Sequence, residues 1–219
     1  KTNFSFIRAP LLEIVKCNQF RETNVKNIFM PKLVKISSHG FYYSKLEDVD
    51  LPSLEELEQH AFSNNHFQTI NLPKLTKMTF TNQFFNCKHL TNFVAKNVQT
   101  IPSYCFNGCS NLATLIAPVA IAQNYCLFDC ENLQIASFQG DFDCFCRQCA
   151  KCFETLQNCL EKGEKYLLLE KITTQVQSWK ILQQEFGEQQ KEQIFLNRSV
   201  QKLQGWVSNA IRLELDGVE

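Results

Sequence analysis

Four cysteines fall within nine residues: Cys144, Cys146, Cys149 and Cys152. Thiolates are soft ligands, and four of them can close a tetrahedral zinc site. The Cys-x2-Cys halves have familiar ligand spacing. A structural site more often joins two pairs from separate stretches, so a cage from one short segment is tight. Three fates compete for these sulfurs: a structural zinc that caps an exposed core, disulfides in an extracellular protein, or reduced and partly buried thiols. Were the segment helical from about residue 147, Cys149, Cys152 and Cys159 would share one face. The chain has 11 Cys, an odd number, so full pairing would leave one over. That leans toward a reducing compartment and a cytoplasmic protein, with a cell-surface or secreted protein as the alternative. The sequons at Asn3 and Asn197 are too common a pattern to weigh against it.

Enzyme chemistry has little to build on. No G-x-x-x-x-G-K, G-x-G-x-x-G, H-E-x-x-H or G-x-S-x-G occurs. His39, His60, His66 and His89 fall in expected turns. A nucleophile pair such as Cys87 with His66 or His89 has the right residue types, but a reactive thiol needs a lowered pKa in a formed cleft. The expectation is a protein that is not an enzyme and has no cofactor beyond the zinc just considered. Lys+Arg and Asp+Glu both number 22. That balance argues against a nucleic-acid binder or a polybasic membrane protein, which need cations near phosphates. No run of 18 apolar residues exists, so no membrane-spanning helix is expected. The first residue is Lys1 rather than Met, which reads as a fragment or processed form and makes a missing signal peptide uninformative.

The elements that must position these residues show as a repeat. Pro10, Pro31, Pro52 and Pro73 stand 21 residues apart; Lys96 takes the next slot and Pro118 the one after. Ten residues past the slot comes Phe20, Phe41, Phe62 or Phe106, with Phe84 one residue late and Leu127 one early. Before each slot runs an apolar triplet at L-x-x-L-x-L spacing, such as Leu46/Val49/Leu51, Phe67/Ile70/Leu72 and Leu112/Leu115/Ala117. After it come further apolar positions, Val15, Ile36, Leu57, Met78 and Ile101 among them. One such unit cannot bury its own apolar face, but stacked units bury a continuous core, so the pattern predicts a solenoid. The x-L-x-L part alternates with period two, as a short strand does, and one strand per coil is expected, stacked in parallel. Proline ends the strand by removing a ladder donor. The residue before the Phe is often small (Gly40, Ala61, Cys105, Cys126), as a tight turn against the next coil would require. Cys87, Cys109 and Cys130 fill one column and Cys105 and Cys126 another, so these five read as buried small hydrophobes. Cys17 lies off these columns.

These columns resemble the BspA-like type of leucine-rich repeat. The family's F-x-x-C-x-x-L part stands here as Phe106, Cys109 and Leu112, with looser copies at Phe84, Cys87 and Leu90 and at Leu127, Cys130 and Leu133. The likeness covers roughly residues 4 to 138. Units before Phe67 lack the Cys. The resemblance implies a binding scaffold; relatives occur as surface or adhesion proteins. The fold class expected is α+β: a leucine-rich-repeat solenoid with a parallel sheet of short strands in 21- to 23-residue units, then a C-terminal helical segment. The divisions expected are 1–140 for the solenoid, 141–162 for a Cys-rich cap and 163–219 for the helical segment.

In such a solenoid the residues between the apolar strand positions face outward in two ladders. One reads Phe6, Asn27, Asp48, Thr69, Asn92, Thr114, Ile135; the other Arg8, Phe29, Asp50, Asn71, Val94, Ile116, Ser137. Phe29, Asp50, Asn71, Val94, Ile116, Asp48, Thr69, Asn92 and Thr114 are the candidate partner-binding residues. Apolar anchors ringed by polar groups suit a protein partner. In the tail, Leu169, Ile172, Val176, Trp179, Leu182 and Phe186 keep helical spacing, and Ile194, Leu196, Val200, Leu203, Val207 and Ile211 resume it. One long helix and two helices hinged near Gly187 both fit. Such a stripe must be covered, by the chain itself or by a second copy in a coiled coil, although Gln183 and Gln190 interrupt a strict seam. The function expected is a non-enzymatic protein-interaction scaffold. A surface adhesin and a zinc-capped regulatory module that oligomerises through its helical tail are the alternatives.

Overall fold

The computed structural model describes residues 4–215, from residue 179 onward chiefly as backbone. In chain order the elements are β1 (Phe6–Arg8), β2 (Ile14–Val15), β3 (Asn27–Phe29), β4 (Lys35–Ile36), β5 (Glu56–Leu57), β6 (Thr69–Asn71), β7 (Lys77–Met78), β8 (Asn92–Val94), β9 (Thr100–Ile101), β10 (Thr114–Ala122), β11 (Ile135–Gln139) and α1 (Leu156–Leu215). All strand pairs are parallel. The chain is a solenoid followed by a helix.

The front sheet follows the expected register. Phe6 pairs with Asn27, Asn92 with both Thr69 and Thr114, and Thr114 with Ile135. Asp48 adds only an isolated bridge to Asn27. Among the described residues no pairing joins Asp48 to Thr69, so the front ladder is interrupted there. Asp48 and Asp50 flank Val49, and aspartate is a poor strand former.

One strand per coil is too few. A second sheet runs along the other edge of the coils, in the order β2-β4-β5-β7, with β9 pairing the far end of β10. Its strands are two residues long and alternate outward then inward: Lys35 and Ile36, Glu56 and Leu57, Lys77 and Met78. The outward positions form a ladder of alternating charge. Glu56 lies 3.4 Å from Lys35 and 3.3 Å from Lys77, and Lys35 also reaches Glu58 at 2.6 Å.

Between the sheets the core is a file of rings. Phe20, Phe41, Phe62, Phe84 and Phe106 stack at centroid spacings of 5.1, 5.9, 5.8 and 5.4 Å. Phe67 and Phe93 meet that file edge-on, a favoured aromatic geometry. The small residue before each Phe is explained by contact. A Cβ on Gly40 would lie 2.6 Å from Ile36 and 2.9 Å from Val15.

The helix begins at Leu156, earlier than the expected boundary at residue 163, after a turn in which the main-chain N–H groups of Thr155 and Leu156 both donate to the Ala150 carbonyl. It continues through Gly187 as one element, so the two-helix alternative does not hold. Its first turns close the last coil. Leu156 and Cys159 are buried in the core, the Cys159 thiol donates to the Leu133 carbonyl, and Gly163 lies so close to the Ala136 carbonyl that no Cβ fits. The chain divides into two compact units, Lys1–Tyr166 and Leu167–Glu219. In the second, Leu169, Ile172 and Val176 are exposed. Trp179, Leu182, Phe186 and the stripe from Ile194 to Ile211 have side chains outside the described ones.

Candidate metal centre and sheet face

The four clustered cysteines converge. The segment after β11 passes Gly140, at φ +78, and makes a partial coil: Asn124 accepts from the Asp143 N–H, and the Asp143 carbonyl accepts from Tyr125. Phe142 and Ala150 anchor it in the core. The four sulfurs then all lie within 4.8 Å of one another. Cys144 to Cys146 is 3.6 Å, Cys146 to Cys152 is 3.9 Å and Cys149 to Cys152 is 3.7 Å. A tetrahedron with metal–sulfur bonds of about 2.3 Å has edges of about 3.8 Å. The quartet therefore could hold a metal ion with little rearrangement. The segment is not helical, so the face imagined for Cys149, Cys152 and Cys159 does not form; Cys159 points into the core instead.

The electrostatics single out Cys146. Burial raises the Cys146 thiol, yet main-chain N–H groups of Asp129, Gln148 and Cys149 directed at its sulfur bring it down to about 7. The Cys149 N–H is 3.3 Å away. Burial pushes Cys144 up to about 11, and it pushes Cys149 up as well. N–H groups aimed at a sulfur favour its thiolate, the form a metal binds. Four sulfurs leave no open position for substrate or water, which is the arrangement of a structural site.

Three of the other buried thiols serve the backbone of the preceding coil. Cys87 donates to the Phe62 carbonyl at 3.1 Å, Cys109 to Phe84 at 3.0 Å and Cys130 to Phe106 at 3.2 Å. In the units without Cys the same slot is filled by another donor. Ser44 donates to the Phe20 carbonyl at 2.6 Å and Asn65 to the Phe41 carbonyl at 2.7 Å. Sequence reading missed Ser44 and Asn65; counting back 22 and then 21 residues from Cys87 finds both. Burial pushes the Cys87 thiol up to about 12, and it is sealed in the core. His66 and His89 instead meet each other outside, at 5.3 Å between rings. No nucleophile pair forms from them. The clefts lined by Glu22, Thr23, Tyr42 and Lys45 (about 540 Å³) and by Asp141, Lys151, Glu154 and Leu160 (about 570 Å³) present neither His nor Cys.

On the front face Asp48, Asp50, Thr69 and Asn71 are exposed, and Asn92, Val94 and Thr114 are half-buried. Phe29 is 43% exposed, with the Arg8 guanidinium 5.0 Å from its ring centroid. Ile116 departs from expectation: it is fully buried. It sits mid-strand in β10 with Val94 on one side and Ser137 on the other, so its flanks are covered. The surface these ladders offer is polar, with two exposed aromatic residues, Phe6 and Phe29, near the N-terminal end.

A parallel two-sheet solenoid of coils of about 21 residues defines a leucine-rich-repeat protein, a class that is typically non-enzymatic and that serves in general as a scaffold for protein interaction. The sequence model of the BspA type leucine rich repeat region, in six copies, matches residues 13–134 and 81–207. The chain belongs to this family. No curated protein and no solved structure matches it. No helix among the described residues is long and apolar enough to cross a membrane.

Proposed function

We propose that the chain is a non-catalytic protein-interaction module that docks a protein on its front sheet, with a structural zinc ion bound by Cys144, Cys146, Cys149 and Cys152 at the end of the solenoid. The observation that carries the first part is the polar ladder of Thr69, Asn92 and Thr114 beside Asn71 on the continuous sheet β6-β8-β10, with Asp48 and Asp50 exposed across the break and Phe29 beyond them. Repeating sheet faces of this kind offer many evenly spaced hydrogen-bonding groups to a partner. The 3.6 to 3.9 Å sulfur spacings support the second part. Four thiolates suit zinc, which needs no redox change and accepts a tetrahedral sulfur cage. Bound there, zinc would fix the segment that leads into α1. Cytoplasmic residence fits this reading, because thiol donors and thiolate ligands persist in a reducing compartment.

The test is site-specific photo-crosslinking in the source cells. A photoreactive residue at Asn71 or Asn92 is expected to capture the same protein, and one at Lys77, on the second sheet, is not. Capture from Lys77 alone would overturn the sheet-face reading. Thiol and metal counts on the same material test the zinc: about one zinc per chain with 11 free thiols after denaturation is expected, and disulfides there would move the protein outside the cell.

A further inference from the structure

The helix α1 carries a heptad seam that begins just past the solenoid unit. With Ile172, Trp179, Phe186, Gln193, Val200 and Val207 at position a, position d holds Leu168, Gln175, Leu182, Gln189, Leu196, Leu203 and Ala210. Seven-residue spacing sustained over this length is the signature of a coiled coil. Leu168 and Ile172 in its first turn are 59% and 46% exposed, and Leu169 and Val176, at the flanking e positions, widen the stripe. Gly187 falls at position b, on the outside, where an added Cβ would meet nothing.

We infer that this seam is occupied by a second copy of the same chain, parallel and in register. Three features on the helix point to that occupant. First, the d positions hold four Leu, and the a positions include Ile172, Val200 and Val207; β-branched a with Leu d favours two parallel strands. Second, the parallel register matches every polar layer, Gln193 with Gln193 included, whereas an antiparallel pair aligned on Gln175 and Gln193 sets Gln189 against Trp179. In a parallel register pair Gln175 meets Gln175 and Gln189 meets Gln189, and amides can bond each other. An antiparallel pair aligned to put Gln189 against Gln193 would set Gln175 against Val207 and Leu168 against Glu214. Third, the flanking charges do not repel. In the parallel pair Glu185 and Glu192 at g lie opposite Gln190 and Asn197 at e, so no like charges face each other. The seam from Leu168 to Ala210 runs about 65 Å at about 1.5 Å per residue, ample for a stable two-stranded coil.

The inference stands apart from the sheet-face reading, and its test does too. Sedimentation equilibrium on the 219-residue chain at micromolar concentration is expected to give twice the 25.4 kDa chain mass. The double variant Leu196→Glu/Val200→Glu is expected to give the chain mass, with the solenoid's β-type circular dichroism unchanged. Orientation is read by charge swapping. Gln189→Glu and Gln189→Lys should each dissociate the dimer about tenfold or more, and mixing the two should restore it, because residue 189 meets its own copy only in the parallel register. A monomeric wild type, or a dimer indifferent to the Leu196/Val200 variant, would overturn the inference. So would a mixture of Gln189→Glu with Gln189→Lys that fails to pair.

Discussion

The Cys109 sulfur donates a hydrogen bond to the main-chain carbonyl of Phe84, 3.0 Å away and one coil back. The same link recurs along the solenoid with Ser44, Asn65, Cys87 and Cys130 as donors. The stacked rings leave their own carbonyls inside the core, where water cannot reach them. A side-chain donor from the next coil pairs them across the coils, at Phe84 and Phe106 beside a main-chain N–H from Cys87 and Cys109. Cys109→Ser should keep the bond, as Ser44 does, and cost little. Cys109→Ala removes one of two donors to the Phe84 carbonyl, the Cys87 N–H at 3.2 Å remaining, and should cost about 0.5–1.5 kcal/mol. Urea unfolding of the two variants distinguishes them; equal losses would mean that the bond is incidental.

Two glycines in α1 should respond oppositely to alanine. Gly187→Ala adds a Cβ to open space and should stabilise the helix by about 0.5–1 kcal/mol. Gly163→Ala drives a Cβ into the Ala136 carbonyl and should destabilise by about 1–3 kcal/mol despite alanine's helix preference. Thermal unfolding followed at 222 nm reads both. A stabilising Gly163→Ala would place the first turns of α1 farther from β11.

Metal removal has a directional consequence. A chelator, or acid that protonates the thiolates, should release the ion from the cysteine quartet. Protection of amide hydrogens should fall first in 141–166 and last in the Phe41 to Phe106 interior. Cys149→Ser should reproduce the loss, and Cys17→Ser, at an exposed site off the repeat columns, should not. Uniform loss of protection along the whole chain would show that the quartet does not act locally.

Acid should also weaken the solenoid through a stacked histidine pair. His39 and His60 lie 4.9 Å apart on successive coils. Burial lowers the pKa of both, and the His39 charge further lowers His60 and the Arg21 guanidinium lowers His39. A folded pKa below the unfolded value means that the unfolded chain binds protons more readily. Stability is then full above about 6.5, the unfolded value, and is lost as pH falls below it. The urea midpoint should drop between pH 7 and pH 5. Both residues sit at positive φ, 59° and 53°, so asparagine is the replacement that tolerates the backbone. His60→Asn should flatten the pH profile; an unchanged slope would assign the effect elsewhere.

The front register was legible because two periods coincide: 21 residues between coils and two within a strand. Pairings such as Phe6 with Asn27 and Ile70 with Phe93 follow from counting. The second sheet was not, since strands of two residues carry no periodicity of their own, and Lys35, Glu56 and Lys77 declare themselves only once the coils are stacked. The convergence of Cys144, Cys146, Cys149 and Cys152 was readable from their closeness in sequence, whereas the N–H groups of Asp129 and Gln148 around Cys146 come from a fold no spacing reports. Ile116 was misplaced because outward-facing and exposed are different conditions in the middle of a sheet. Gln83 shows where a column gives way: it occupies the small-residue position, buried, with its amide donating to the Thr79 carbonyl at 2.5 Å, and the unit lengthens by one residue beside it.

Each slot donor reaches back to the coil before it. An entire coil can therefore be excised or duplicated between equivalent positions, and the flanking donor finds another phenylalanine carbonyl at the same place. Cutting between Asn65 and Cys87, for example, joins two slots that ask the same thing of the preceding coil. The array is modular at the level of single hydrogen bonds. Its length is free to change in whole coils while its core chemistry stays constant, and the closed end at Leu156 and Cys159 can ride on an array of any number of turns.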